Sequence, residues 1–288
     1  MSESPAPGIP GTFFGRSTRR LETAHCWVEV LANGGPRIVG FGLPGGESIL
    51  AETPEAAWDA GYGIYELVGG HRLWFAPESP ECSVPDADGL TLSEFQGLAD
   101  GEVGVRLVGA FEAPTGLRRE MKIRLDAASA SVSVRHILRN EGQATLEVSP
   151  WPITQLKLGG VARLELPEPK GAHAIKPGQM IALWPYASWS DERLTITERS
   201  LTVAATPGRP FKIGCLNGAG MVSYLREGVL FTKAFDPAPE LAHADMGCNV
   251  EIYSNEDSIE IESLGPLTCL VPGDSVTHDE RWEISRIG

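Results

Sequence analysis

The sequence predicts an all-β protein of two packed antiparallel sheets, and three observations carry that prediction. Apolar and polar residues alternate with a period of two from end to end, 33 Gly and 22 Pro supply turns between the alternating runs, and a single short helical piece stands out, near residues 54–60. Parallel strands would need a crossover helix between each pair, so an α/β arrangement is disfavoured. At 288 residues the chain is long for one domain but within the range of large β-sandwiches.

Residues 1–20, rich in Ser, Pro and Gly at their start, read as a flexible lead into one domain spanning residues 21–288. Strands are expected at 26–31 and 37–43, with Asn33-Gly34-Gly35 and Pro44-Gly45-Gly46 as turns. Residues 40–45 match GxGxxG literally. No periodic helix follows to receive a pyrophosphate, so a dinucleotide site is rejected. The run 69–78 breaks periodicity and reads as a loop. Strands follow at 103–111 and 117–125. The clearest case is 131–138, where Val132, Val134 and Leu138 share a face with His136. Further strands are expected at 146–151, 194–203, 221–226, 229–235, 249–254, 259–263 and 276–284, with turns at Asn140-Glu141-Gly142, Asn217-Gly218 and Pro272-Gly273-Asp274.

Composition narrows function. With 38 acidic and 24 basic residues the chain carries a formal charge of −14 and would repel a phosphate backbone, so no nucleic-acid partner is expected. No apolar stretch is long enough to cross a bilayer, and residues 1–12 lack the apolar core of a signal peptide, so no membrane partner is expected either. Five cysteines without a CxxC pair argue against a disulfide framework and for a reducing compartment, the cytoplasm. Six histidines show no paired ligand spacing, and HExxH, Walker A and GxSxG patterns are absent. No metal and no cofactor is therefore expected. His136 and His278 lie on apolar faces and read as core histidines with satisfied ring nitrogens.

Three segments concentrate side chains suited to ligand binding. In 69–78, two glycines permit close backbone approach, Arg72 can fork to oxygen pairs, Trp74 can stack on a sugar face, and Glu78 adds a carboxylate. A structural turn with Arg72 in an internal salt bridge is the alternative. In 149–155, alternation puts Trp151 and Gln155 on the polar face, and Trp184 lies in a further aromatic cluster; sheet-corner packing is the alternative. In 247–262, Asn249, Glu251 and Tyr253 point away from Val250 and Ile252, and Glu260 and Glu262 repeat the pattern. Like charges so spaced raise one another's pKa, which readies a carboxylate for proton transfer, unless the face is only solvated.

These segments, in this order, with the closing run from Leu270-Val271-Pro272-Gly273-Asp274 to Trp282, resemble the galactose mutarotase-like (aldose 1-epimerase-like) superfamily, and in particular an uncharacterised bacterial branch. The resemblance covers nearly the whole chain after Arg20. It implies an antiparallel β-supersandwich of galactose mutarotase type and a small-molecule sugar or sugar derivative as partner. It also implies possible anomer interconversion, in which a glutamate takes the proton of the anomeric hydroxyl and a histidine protonates the ring oxygen. The glutamate carries over to Glu251. At the position of the histidine stands Trp151, so His71 is the substitute acid that the residues offer, with Arg72, Trp74, Glu78, Trp151, Gln155, Trp184, Asn249 and Tyr253 as sugar contacts. A non-catalytic carbohydrate-binding module that has lost the histidine is the alternative, and a structural domain with no small ligand is a third.

Overall fold

The computed structural model describes residues 8–94, 101–166 and 178–287. Turns at the expected glycines and prolines cut the described residues into 23 strands. One sheet runs in the order β1 (Ile9–Phe13), β2 (Arg16–Glu22), β3 (Trp27–Leu31), β4 (Arg37–Gly42), β7 (His71–Ala76), β12 (Leu146–Leu156), β21 (Ile259–Ser263), β20 (Val250–Ser254), β17 (Phe211–Cys215) and β14 (Ile181–Leu183), with β22 (Thr268–Leu270) pairing β12. The other runs β15 (Leu194–Ile196), β16 (Ser200–Ala204), β13 (Val161–Glu165), β18 (Met221–Arg226), β19 (Val229–Phe235), β23 (Ser275–Arg286), β11 (Ser131–Asn140), β10 (Leu117–Leu125), β9 (Val103–Glu112) and β8 (Thr91–Glu94). A separate hairpin pairs β5 (Glu52–Asp59) with β6 (Ile64–Gly69).

All these pairings are antiparallel, and the inner faces meet in one apolar core. Phe41 of the first sheet packs edge-on against Phe231 of the second at 5.8 Å, and both touch Trp282. Burying an aromatic side chain of this kind contributes about 1.5–3 kcal/mol. The second sheet exposes its outer face, so its strands alternate cleanly. From Thr277 to Ser285 β23 reads alternately exposed and buried, which is why that part of the sequence was easy to read.

The structure corrects four expectations. Residues 54–60 are not helical; 54–59 belong to β5. The pairing with β6 slips between Thr53 and Ala57, a bulge beside which Pro54, with no N–H to give, costs no ladder bond. The lead assigned to residues 1–20 contains β1 and most of β2 from residue 9 onward, residues 1–7 lying outside the described part. It is pinned by Thr18 to Glu29 and by Arg20 stacked 4.0 Å over Trp27. The strand expected at 194–203 is two, folded back at Thr197, whose N–H donates to the Ser200 carbonyl at 2.8 Å. The loop expected at 69–78 is the central strand β7. It is buried on both faces, so it carries no polar–apolar alternation to detect. Gly69 and Gly70 turn the chain into it at φ of 100° and 73°, and a Cβ at Gly70 would overlap the Ile38 carbonyl.

Candidate site in the cleft of the first sheet

Strand register decides which side chains share the outer face of the first sheet. Arg72 lies opposite Ile153, Ile153 opposite Glu262, and Glu262 opposite Glu251, across β7, β12, β21 and β20. The next row carries Gln155, Glu260, Tyr253 and Lys212, ending on β17. Trp74 and Trp151 pair directly. Over these strands opens a cleft of about 1090 Å³. The β5–β6 hairpin walls one side with Trp58, and the loops bearing Tyr186, Arg209 and Glu78 wall the others. Its floor is made of polar and charged groups that are almost wholly buried, so their pairing decides what they can do.

The centre of that floor is an ion cluster. Glu251 and Glu262 face each other on neighbouring strands, an arrangement that costs free energy unless a cation intervenes. Lys212 does so, with Nζ 2.6 Å from Glu251 Oε2 and 3.0 Å from Glu262 Oε2, and the Trp151 indole N–H donates to the same Glu262 oxygen at 2.7 Å. The ammonium also lies 4.5 Å from the Trp151 ring and 4.7 Å from the Trp184 ring. Burial, reinforced by Glu262, pushes the Glu251 carboxyl far above the usual carboxylate range although Lys212 pulls the other way. The two carboxylates hold the Lys212 ammonium protonated against its own desolvation. Neither Glu251 oxygen receives a directed hydrogen bond, and Glu262 Oε1 has none either.

Around this cluster, Arg72 holds Glu260 with two guanidinium nitrogens at 3.1 and 3.2 Å and stacks 4.4 Å over Trp74. Burial raises the Glu260 carboxyl, with Arg72 opposing. Glu78, on the cleft wall, is raised as well, chiefly by burial and further by Glu262. A carboxyl so placed keeps a proton nearer to neutral pH than a free one would.

The structure distributes the expected site residues unevenly. Arg72, Trp74, Glu78, Trp151, Gln155 and Tyr253 line the cleft. Trp184 packs on Lys212 and does not reach the cleft wall. Asn249 is a backbone clamp, its side chain donating to the carbonyls of Asn217 and Pro237 and accepting from the Asn217 N–H. Glu251 is fully buried and lies behind Lys212, off the cleft wall. His71 points to the opposite face, into the space between the sheets. An acid–base pair of His71 and Glu251 across one ligand is therefore not formed, because odd and even residues of a strand face opposite sides.

His71 belongs instead to a buried polar network whose tautomers follow from its acceptors. His136 Nδ1 lies 3.0 Å from the His278 carbonyl, so it carries the proton and His136 Nε2 accepts. His71 Nε2, at 2.7 Å, must then donate, and His71 Nδ1 accepts from the Thr154 hydroxyl at 2.9 Å, which itself accepts from Lys233. Lys233 completes the network with Glu280 at 2.7 Å. His71, His136 and Glu280 bring one ligand-type atom each within 4.8 Å of one another. Each of these atoms already has a partner, and the adjacent ammonium opposes a second cation, so the donor set does not fit a metal ion. Burial pushes all three histidines down, His278 to about 3.

Sequence reasoning missed Lys212, the residue around which the site is organised, and the mouth residues Trp58 and Arg209, while Tyr186 stood in the aromatic cluster noted with Trp184. A lone Lys flanked by Phe211 and Ile213 in an apolar run was the available signal for Lys212.

No protein-family model and no curated protein matches the sequence. Solved structures match in fold. The chain is similar to a galactose mutarotase-like protein from Lactobacillus casei ATCC 334, with TM-score 0.57 and 11% identity over 93% of this chain and 100% of that one. It is similar to the mutarotase candidate YeaD from Salmonella typhimurium, with TM-score 0.62 and 9% identity over 98% and 97% of the two chains. A TPR-domain containing protein from Parabacteroides distasonis ATCC 8503 matches with TM-score 0.60 and 13% identity over 95% of this chain and 48% of its own, so this chain spans about half the length of that relative. The architecture is thus the galactose mutarotase-like antiparallel supersandwich.

Proposed function

We propose that the cleft binds a sugar and that the chain interconverts its anomers by carboxylate acid–base chemistry. The observation that carries this reading is one open cleft on which Glu262, held by Lys212 and the Trp151 indole, faces the same space as Glu78, whose carboxyl burial lifts. A carboxyl that burial keeps protonated nearer to neutral pH, facing a second carboxyl that already accepts from an ammonium and an indole N–H, supplies the donor and the acceptor that an acid–base pair requires. Glu262 takes the proton of the anomeric hydroxyl while Glu78 gives its proton to the ring oxygen. The bond between the anomeric carbon and that oxygen opens to an aldehyde, the carbon–carbon bond beside it rotates, and closure on the other face returns both protons. The base role implied for Glu251 passes to Glu262, its partner across the strand pair, and Glu251 serves to hold Lys212 in place.

A second reading, binding without catalysis, is favoured by the lack of a histidine among the described residues that line the cleft. Exchange between α and β anomers, followed by NMR with glucose and galactose, separates the two. Catalysis predicts faster exchange with wild type and a loss of about 100-fold or more in Glu262→Gln. Sugar signals that show saturation transfer from the protein, with exchange no faster than in buffer, would leave the binding reading standing alone. Absence of both signals would move the weight to a structural domain.

A further inference from the structure

Resting on the carbohydrate reading above, the floor and mouth of the cleft together specify more than a single sugar. Three buried polar atoms of the floor have no hydrogen-bond partner: Arg72 Nε, Gln155 Oε1 and Glu262 Oε1. Their residues are 5%, 1% and 0% exposed, so bulk water does not satisfy them, and each orphaned donor or acceptor of this kind costs free energy until a ligand pairs it. One donor beside two acceptors suits neighbouring hydroxyl groups, which both give and accept.

Among the described residues the floor itself has no cation to spare for an anion, the other cleft-lining cation, Arg209, standing on the wall at the mouth. Arg72 is committed to Glu260, and the Lys212 ammonium is shared by two carboxylates. A phosphate or carboxylate placed on the floor would face Glu78, Glu260 and Glu262, with both floor cations already committed.

The aromatic rings divide by depth. Trp151 and Trp74 are only 2% and 6% exposed, and Lys212 and Arg72 already lie over them, so neither offers a ring face for stacking. Among the described cleft-lining residues, the most open rings are those of the mouth, Trp58 at 39% and Tyr186 at 52% exposure, with Tyr253 half-buried. Trp58 is linked to the floor through other rings, contacting Tyr65 at 4.9 Å, which contacts Trp74 at 5.8 Å. A pyranose is about the size of one such ring. A sugar hydrogen-bonded to the floor therefore leaves the mouth aromatics unoccupied, and a following ring is needed to cover them.

We infer that the cleft is built for a sugar chain of at least two rings, an uncharged one paired with Arg72, Gln155 and Glu262 and the next stacked on Trp58 or Tyr186. The test is calorimetric titration of the full chain with glucose, galactose, their α- and β-linked di- and trisaccharides, and their 1- and 6-phosphates. The expected result is that at least one oligosaccharide binds about tenfold or more tightly than its parent sugar, while no phosphate outcompetes that parent. In Trp58→Ala or Tyr186→Ala that ratio should fall toward one, and Trp58→Phe, which keeps a ring, should restore most of it and guards against simple misfolding of the hairpin. Equal affinity for one ring and for two or three overturns the inference while leaving the carbohydrate reading intact. Tighter binding of a sugar phosphate overturns it as well. Failure to bind any of these sugars overturns both.

Discussion

Replacing Lys212 by Met removes the positive charge that lets Glu251 and Glu262 stand opposite each other with no exposed surface. The methionine stem retains much of the packing against Trp151 and Trp184, so the change is largely electrostatic. Removing one partner of a buried, paired charge destabilises by about 3–5 kcal/mol, because the remaining charges stay desolvated without compensation. That is a large part of the roughly 5–15 kcal/mol that holds a domain folded. The pH dependence has a definite sign. Burial and the facing carboxylate already raise Glu251 above its unfolded value, and without Lys212 the rise must grow. A carboxyl raised in the folded state stabilises below the unfolded pKa and loses that contribution as pH climbs through the folded one. The deficit of the variant is thus greatest at and above neutral pH and narrows on acidification, by at most about 1.4 kcal/mol per pH unit for each carboxyl that takes up its proton. Urea unfolding at pH 7.5 and 5.5 measures both quantities, and the double variant Lys212→Met with Glu251→Gln should recover part of the loss by removing one of the two facing charges. A loss below about 1 kcal/mol at pH 7.5, or a deficit that is no smaller at pH 5.5, would refute the reasoning.

Two further outcomes follow from the hydrogen bonds. His278, held neutral in the fold at about 3 and hydrogen-bonded to Ser263, takes up a proton far more readily unfolded, so its contribution is present above about pH 6.5 and is lost as pH falls from there. His278→Gln should flatten the pH dependence of stability between 6.5 and 5.5 by about one proton, read from urea midpoints at several pH values; an unchanged slope would contradict the neutral network. Trp151→Phe keeps an aromatic ring but deletes the N–H that Glu262 accepts, and should cost about 1.5–3 kcal/mol of stability, measured in the same way.

How much was legible in the sequence depended on what each strand touches. β10, β18, β19 and β21 were read with their full bounds, and β23 nearly so. In the second sheet one face meets the core and the other meets water, so alternation is written directly into the residues. β7 was misread as a loop and periodicity followed β12 only to Trp151, since both faces of these strands are covered and their residues need not alternate. The resemblance to mutarotase-like proteins was visible in the order of segments and is matched by the fold.

The candidate site divides along the same line. Sequence alone determined that this chain is an antiparallel supersandwich, that carboxylates gather on the outer face of β20 and β21, and that Arg72, Trp74, Glu78, Trp151, Gln155 and Tyr253 were worth attention. Only the tertiary structure decided that His71 faces the core, that Glu251 lies behind Lys212, and that Glu262 takes the cleft-facing place. The parity of a residue within its strand is local, but which face opens on a cleft, and which distant lysine neutralises it, is set by strands up to 188 residues apart, as with Arg72 and Glu260. Such pairings arise from register between strands, and register is a property of the folded sheet rather than of any one segment.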